Sequence, residues 1–218
     1  ITIDTNTPGA PVSLDLDASD DTGSSTSDNI TSNTTNLTIS GTSDPNDTIT
    51  IASDQDSTLG DTTADGAGNW TIDVPLSAGK THAVTAVATD TAGNLSVSSI
   101  ALNITIDTNT PNAPVSLDLD ASDDTGSSFS DNITSNTTNL TISGTSEANA
   151  SITLTSSIDG NKGTTTADGA GNWTVDISLT ANLTHSVTAV ATDTAGNTSV
   201  SSAPLSITID TAVNAPAS

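Results

Sequence analysis

Two β-sandwiches in tandem, built without helices, is the fold class the sequence predicts. Three observations carry it. An internal repeat recurs at a fixed offset of 103 residues, each repeat alternates apolar and small polar residues as half-buried strands do, and each holds one Trp. The repeat decides the domain organisation. Ile1–Ser43 returns as Ile104–Ser146 with two substitutions, Gly9/Asn112 and Thr26/Phe129. Trp70 aligns with Trp173, and "AVATDTAGN" at Ala86–Asn94 returns at Ala189–Asn197. Three segments follow: 1–106 as repeat 1, 107–211 as repeat 2, and 212–218 as the start of a further repeat or a tail. "ITIDT" stands at Ile1–Thr5 and again at Ile207–Thr211. The expectation is therefore two units of a longer tandem array.

Within repeat 1 the strands are read in order. The first lies near Val12–Asp17. "NLTISGT" (36–42), "DTITIAS" (47–53), "WTIDVPL" (70–76), "HAVTAVATD" (82–90) and "VSSIALNITID" (97–107) follow. Each alternates with period two and is rich in Val, Ile and Thr, which suit a pleated, half-buried surface. "DGAGN" (65–69) and "TAGN" (91–94) between them are turn chemistry. About seven short strands per hundred residues with a single Trp is the pattern of an immunoglobulin-like sandwich. Running the chain up and down puts the "GTSDPN", "ADGAGN" and "TDTAGN" loops at one pole. The long loop from Ser19 to Asn33 and the exit of the last strand fall at the other.

Composition limits function. Hydrophobic residues make up only 32%, and Trp70, Trp173 and Phe129 are the only aromatics. The core is therefore thin. The formal net charge is −24, with Lys80 and Lys162 the only basic side chains apart from two His. Such a chain repels nucleic acid and bare anionic membrane. The partner it calls for is a hard cation, Ca²⁺ before a soft transition metal, because its ligands are oxygens. There are no cysteines, hence no disulfide framework and no thiolate zinc site. No apolar run is long enough to span a membrane, so this segment is expected not to insert into one.

Two sets of carboxylates are the candidate ligands. "LDLDASDDTGSSTSD" (14–28) holds five Asp in fifteen residues and returns at 117–131. Asp17, Ser19 and Asp21 stand at positions 1, 3 and 5 of a loop whose twelfth residue is Asp28. Glycine falls at position 7 and no helices flank the loop, so it is not an EF-hand. The ligand logic survives: alternate carboxylates can wrap one cation, with Asp120, Asp124 and Asp131 as the second copy. Asp20 is read as facing solvent or the next unit. The other set lies where repeats meet. Asp107 sits on the connector, and Asp168 and Asp193 head turns at the pole of repeat 2 nearest it. Asp4, Asp65 and Asp90 are the matching set in repeat 1. Against both sets stands the plainer reading that each Asp caps its own turn. His82 and His185, one repeat position, lack the second His, Cys or positioned base that catalysis needs.

"ITIDTNTPNAPV" at the junction, "ADGAGNW" and "ATDTAGN", in that order and twice, resemble the bacterial Ig-like extender repeats of giant type I-secreted (RTX-type) adhesins. The resemblance covers essentially the whole chain. It implies a non-enzymatic, calcium-stiffened stalk on the bacterial cell surface that projects a distal binding domain. Its partners would be neighbouring repeats of the same chain, and the protein would be monomeric. The alternative is an Ig-like module that itself binds a glycan or protein, for which Phe129 is the lone aromatic candidate. A third reading, a calcium- or ice-binding surface of Thr rows, lacks a sustained Thr-X-Thr array.

Overall fold

Strand parity and turn chemistry place every loop, and the topology follows. The computed structural model describes residues 3–212. The expected start of a further repeat at 212–218 falls, beyond Ala212, outside the described residues. The chain divides into two units, Ile1–Asn109 and Thr110–Ser218. No helix occurs among the described residues.

In the first unit the strands are β1 (Val12–Leu16), β2 (Ile30–Thr31), β3 (Leu37–Thr42), β4 (Thr48–Ser53), β5 (Ser57–Thr63), β6 (Asn69–Val74), β7 (Lys80–Thr89) and β8 (Leu102–Ile106). One sheet has the order β1-β3-β6 and the other β2-β8-β7-β4-β5. All pairings are antiparallel except the short parallel one between β2 and β8. The second unit repeats this arrangement from β9 (Val115–Leu119) to β16 (Leu205–Ile209), with sheets β14-β11-β9 and β10-β16-β15-β12-β13.

Period-two alternation explains the core. β3 buries Leu37, Ile39 and Gly41, and β7 buries His82, Val84, Ala86 and Ala88, while the residues between them stay part-exposed. The apolar members of these inward sets join Trp70 in one cluster between the sheets; Trp173 occupies the same place in unit 2. Gly41 pairs across the ladder with Trp70, and a Cβ there would overlap the indole. Gly144 and Trp173 repeat this contact. The glycine is therefore fixed by close approach of the ring and not by turn geometry.

Registers fix the poles. Val12 pairs with Thr42, Thr42 with Asn69, and Thr48 with Thr89. The turns 43–47, 64–69 and 90–94 thus gather at one end of the unit, while the 17–36 loop and the end of β8 lie at the other.

Three elements differ from the sequence reading, the first being β2, whose two residues fall inside the segment read as one long loop from Ser19 to Asn33. The last strand was expected over 97–107, but only Leu102–Ile106 is a strand. Before it, the Ser96 and Ser99 hydroxyls accept from Ala88 N and Ala86 N, at 2.9 and 3.0 Å, while the Ser96 and Ser99 amides donate to the Ala88 and Ala86 carbonyls, so side chains supply half the bonds of a ladder. β5, "STLGDTT", escaped notice because Gly60 and Asp61 interrupt its apolar alternation.

Candidate cation-binding loops

The 17–36 loop is built by Asp side chains bonding to backbone amides. Asp17 Oδ1 accepts from Ser19 N and Ser19 Oγ at 2.9 and 2.6 Å. Its carbonyl accepts from the Asp20 and Asp21 amides at 2.9 and 3.2 Å. Asp20, read from the sequence as facing solvent or the next unit, is part-exposed. Its Oδ2 takes the Thr38 amide at 2.9 Å and ties the loop to β3. Asp28 Oδ1 accepts from Ile30 N at 3.1 Å. Asp120, Asp123 and Asp131 repeat these bonds in unit 2.

Asp21 behaves differently. It is 2% exposed, and Asp124, its counterpart, 1%. One oxygen, Oδ2, accepts from Asn29 N at 3.0 Å; in unit 2 the Asn132 amide plays the same part. The other, Oδ1, is buried with no hydrogen-bond partner in either unit. A buried carboxylate oxygen without a donor is costly. The same orphan recurs at both repeat positions, so each loop leaves one buried acceptor open.

At the opposite pole the turn Asp residues are well bonded. Asp65 Oδ1 accepts from Ala67 N and Asn69 N at 2.8 and 2.9 Å, and Asp168 matches it. Asp90 Oδ1 accepts from Ala92 N and Asn94 N, and its Oδ2 from Asn94 Nδ2 at 2.8 Å. Asn94 Nδ2 also donates to the Asp4 carbonyl at 3.2 Å, so Asp4 and Asp90 meet on one amide. The Asp4 carboxylate accepts from Asn6 N instead. Asp107 Oδ1 accepts from Asn109 N and Nδ2 within unit 1, and Asp193 from Asn197 N and Nδ2 within unit 2. Among the described residues, no three Asp, Glu, His or Cys side chains are grouped to hold a metal ion by themselves. Any ion here would need backbone carbonyls and water beside one or two carboxylates.

These bonds shift titration. The Asn69 and Ala67 amides hold Asp65 below the usual carboxylate range, and Asn94, through its side chain first, does so for Asp90. Asp168 follows Asp65, while Ser19 and Ser122 lower Asp17 and Asp120. A carboxylate whose folded pKa is depressed stabilises the fold above its unfolded value and loses that contribution as pH falls through the folded one. In chelator, the melting temperature is expected to drop as pH falls below about 4. Thermal melts from pH 7 to pH 2.5 check this; a profile flat to pH 2.5 would count against it.

His82 sits in an arrangement that looks catalytic by composition. Its Nδ1 is 2.9 Å from Ser53 Oγ and 3.4 Å from Asp56 Oδ2. Its Nε2 lies 2.8 Å from the Ser77 carbonyl, so Nε2 carries the proton and donates, and Nδ1 accepts from Ser53. The ring is fully buried and both nitrogens are engaged, so its role is to pin β4 and β7 to the Ser77 turn. His185, Ser156, Asp159 and Thr180 repeat the pin.

Comparison with known proteins agrees with this architecture. The sequence pattern of a family described as bacterial Ig-like domain matches residues 7–108 and again 110–211. The chain belongs to that family. No curated protein matches it. Among solved structures, the fibronectin(III)-like modules of Clostridium thermocellum CbhA share 16% identity, covering 91% of this chain and 95% of theirs at a TM-score of 0.50. That likeness shows the fold alone. The BSP domain of a biofilm associated protein shares 20% identity over 84% of this chain, with a TM-score of 0.31. A structure described as bearing on host cell surface retention of a 1.5-MDa bacterial ice-binding adhesin shares 23% over 86%, with a TM-score of 0.43. The bacterial Ig-like chain spans 29% and 62% of the lengths of those two.

Sequence reasoning missed one acidic residue of these bacterial Ig-like repeats. Asp47, 5% exposed, has its Oδ2 buried without a partner. The available signal was a difference between repeats, since Ala150 stands at the matching position in unit 2.

Proposed function

We propose that these bacterial Ig-like repeats are a calcium-stabilised spacer in the stalk of a large bacterial surface adhesin, working outside the cell. The observation that carries the cation is the orphaned, buried Oδ1 of Asp21 and Asp124, which recurs at the same place in both repeats. Family membership and the tandem arrangement support the spacer. Each unit closes its own core, so repeats add length independently and reach scales with their number.

Asp21 and Asp124 would hold the ions, with loop carbonyls and water completing a shell of hard oxygens. The bound ion supplies positive charge to a chain whose net charge is −24. It stabilises because it binds the folded loop and not the unfolded chain. External millimolar calcium would then favour folding after export.

Thermal melting in chelator and in millimolar calcium tests this. One site filled at a hundred times its dissociation constant adds about 2.7 kcal/mol. For a domain of this size that raises the melting temperature by roughly 10–20 °C. Superimposable curves in the two conditions would overturn the calcium reading.

A further inference from the structure

One edge-strand position sets the two repeats apart. In repeat 2, Leu154 pairs with Gly163 and Thr155 with Asn161, which leaves Lys162 as the extra residue of a β-bulge in β13, at the edge of its sheet. A bulge re-aims the side chain it carries. Repeat 1 has the same bulge with Leu59 in that place, and Leu59 packs against the core cluster. The fold accepts an apolar side chain here, yet repeat 2 fills the place with one of only two lysines in the chain. A lysine on a sheet edge usually projects into water and blocks pairing with other strands. Lys162 does not project, since its side chain is only 16% exposed. Among the described residues its ion-pair partner is the Asp159 carboxylate at 3.8 Å, beyond hydrogen-bond reach. That carboxylate does not require it. Asp159 accepts from Thr180 N and Oγ1 at 2.9 and 2.7 Å, and in repeat 1 Asp56 accepts in the same way from Ser77 without a lysine in ion-pair contact. A largely buried ammonium with its three donors unspent is costly.

Lys162 and Asp159 line a recess of about 370 Å³ together with Thr137, Thr138, Ser178 and Thr180. That volume lies within the range of small-molecule sites, roughly 300–1,000 Å³. The Thr138 and Ser178 hydroxyls enter no hydrogen bond among the described residues. The matching recess of repeat 1 has Leu59 and Pro75 where repeat 2 has Lys162 and Ser178. We infer that the recess of repeat 2 binds a neutral saccharide through Lys162, Asp159 and the Thr138 and Ser178 hydroxyls, in a site that repeat 1 lacks. The ligand class follows from the groups on offer. A sugar hydroxyl both donates and accepts. Lys162 donates to it, each Asp159 oxygen keeps a second lone pair to accept, and the Thr and Ser hydroxyls do either. An anion is disfavoured because Asp159 stands beside the ammonium and the chain carries a net charge of −24. A metal cation is disfavoured by Lys162 itself. The site lies within unit 2, uses neither the acidic loops nor Phe129, and leaves the spacer role as it is. Repeats of one array would thus share a fold while only some of them carry a binding recess.

Amide NMR shifts of the isotope-labelled two-repeat chain test this, with glucose, galactose and mannose as probes and glucuronate as the charged control. Parent and Lys162→Leu are compared. Leu59 shows that this bulge accepts Leu, so the variant is expected to fold. The expected result is saturable shifts with at least one of the neutral sugars at Thr138, Asp159, Lys162 and Thr180, and none at Thr35, Asp56, Leu59 and Ser77. In the variant the affinity should fall about tenfold or more, as loss of a hydrogen bond to a charged group implies. No shift with any of the three hexoses overturns the proposal. So does equal affinity of parent and variant, and so does binding of glucuronate alone. Shifts of the same size in both repeats would overturn the restriction of the site to repeat 2.

Discussion

Replacing Trp70 by Ala is expected to lower the stability of repeat 1 by about 3–5 kcal/mol, the usual cost of truncating a buried aromatic. A domain of this size holds only about 5–15 kcal/mol in total. The loss is large because nothing nearby can refill the space. Trp70 is 2% exposed and packs between two sheets whose other core residues are Leu, Ile, Val and Ala. Its ring also lies on Gly41, which has no side chain to move into the void. Far-UV melting should then show two transitions, the earlier one from repeat 1. Near-UV signal, left to Trp173 alone, should follow the later transition. A single transition at the parental temperature would show that the indole contributes little to the core.

The same contact shows how much of the fold the sequence displays. Period two in "NLTISGT" and "HAVTAVATD" located β3 and β7, because alternation is a local property and survives in the letters. The pole at which each loop lies also followed, since antiparallel order leaves few choices. Segment 97–101 did not follow. Its letters alternate like a strand, but the Ser96 and Ser99 hydroxyls occupy the Ala88 and Ala86 amides that a ladder would use. Side-chain competition of this kind depends on a register that no single segment reveals.

The acidic residues divide in a similar way. That Asp65, Asp90 and Asp168 head turns was legible from Asp-Gly and Ala-Gly-Asn chemistry. Asp17 and Asp28 looked equivalent to Asp21 as alternate ligands, yet each bonds two residues ahead to its own turn. Asp21 is distinguished by burial, which depends on how the loop folds back so that Asn29 reaches its Oδ2. Asp47 is the clearest case: its neighbours in sequence make it a turn residue, and only the folded unit shows that its Oδ2 is buried without a partner.

Changing Asp21 to Asn is expected to have opposite effects with and without calcium, and the sign change is the informative part. Asn keeps the shape of the side chain and still offers an oxygen to the Asn29 amide. What it removes is charge. Without a cation, the parent buries a carboxylate with one oxygen unbonded, so neutralising it should leave repeat 1 equally stable or more so. With millimolar calcium, the parent gains the ion's binding energy, about 2.7 kcal/mol at a hundredfold excess over the dissociation constant, and the variant gains little of it. The melting temperature of repeat 1 should therefore be at or above the parent's in chelator and roughly 10 °C or more below it in calcium. Asp124→Asn should do the same to repeat 2, and the two effects should add, because each loop lies within its own unit. Differential scanning calorimetry of the four chains in both conditions reads this directly. Should Asp21→Asn lower the melting temperature equally in chelator and calcium, the carboxylate is holding the Asn29 turn and not an ion.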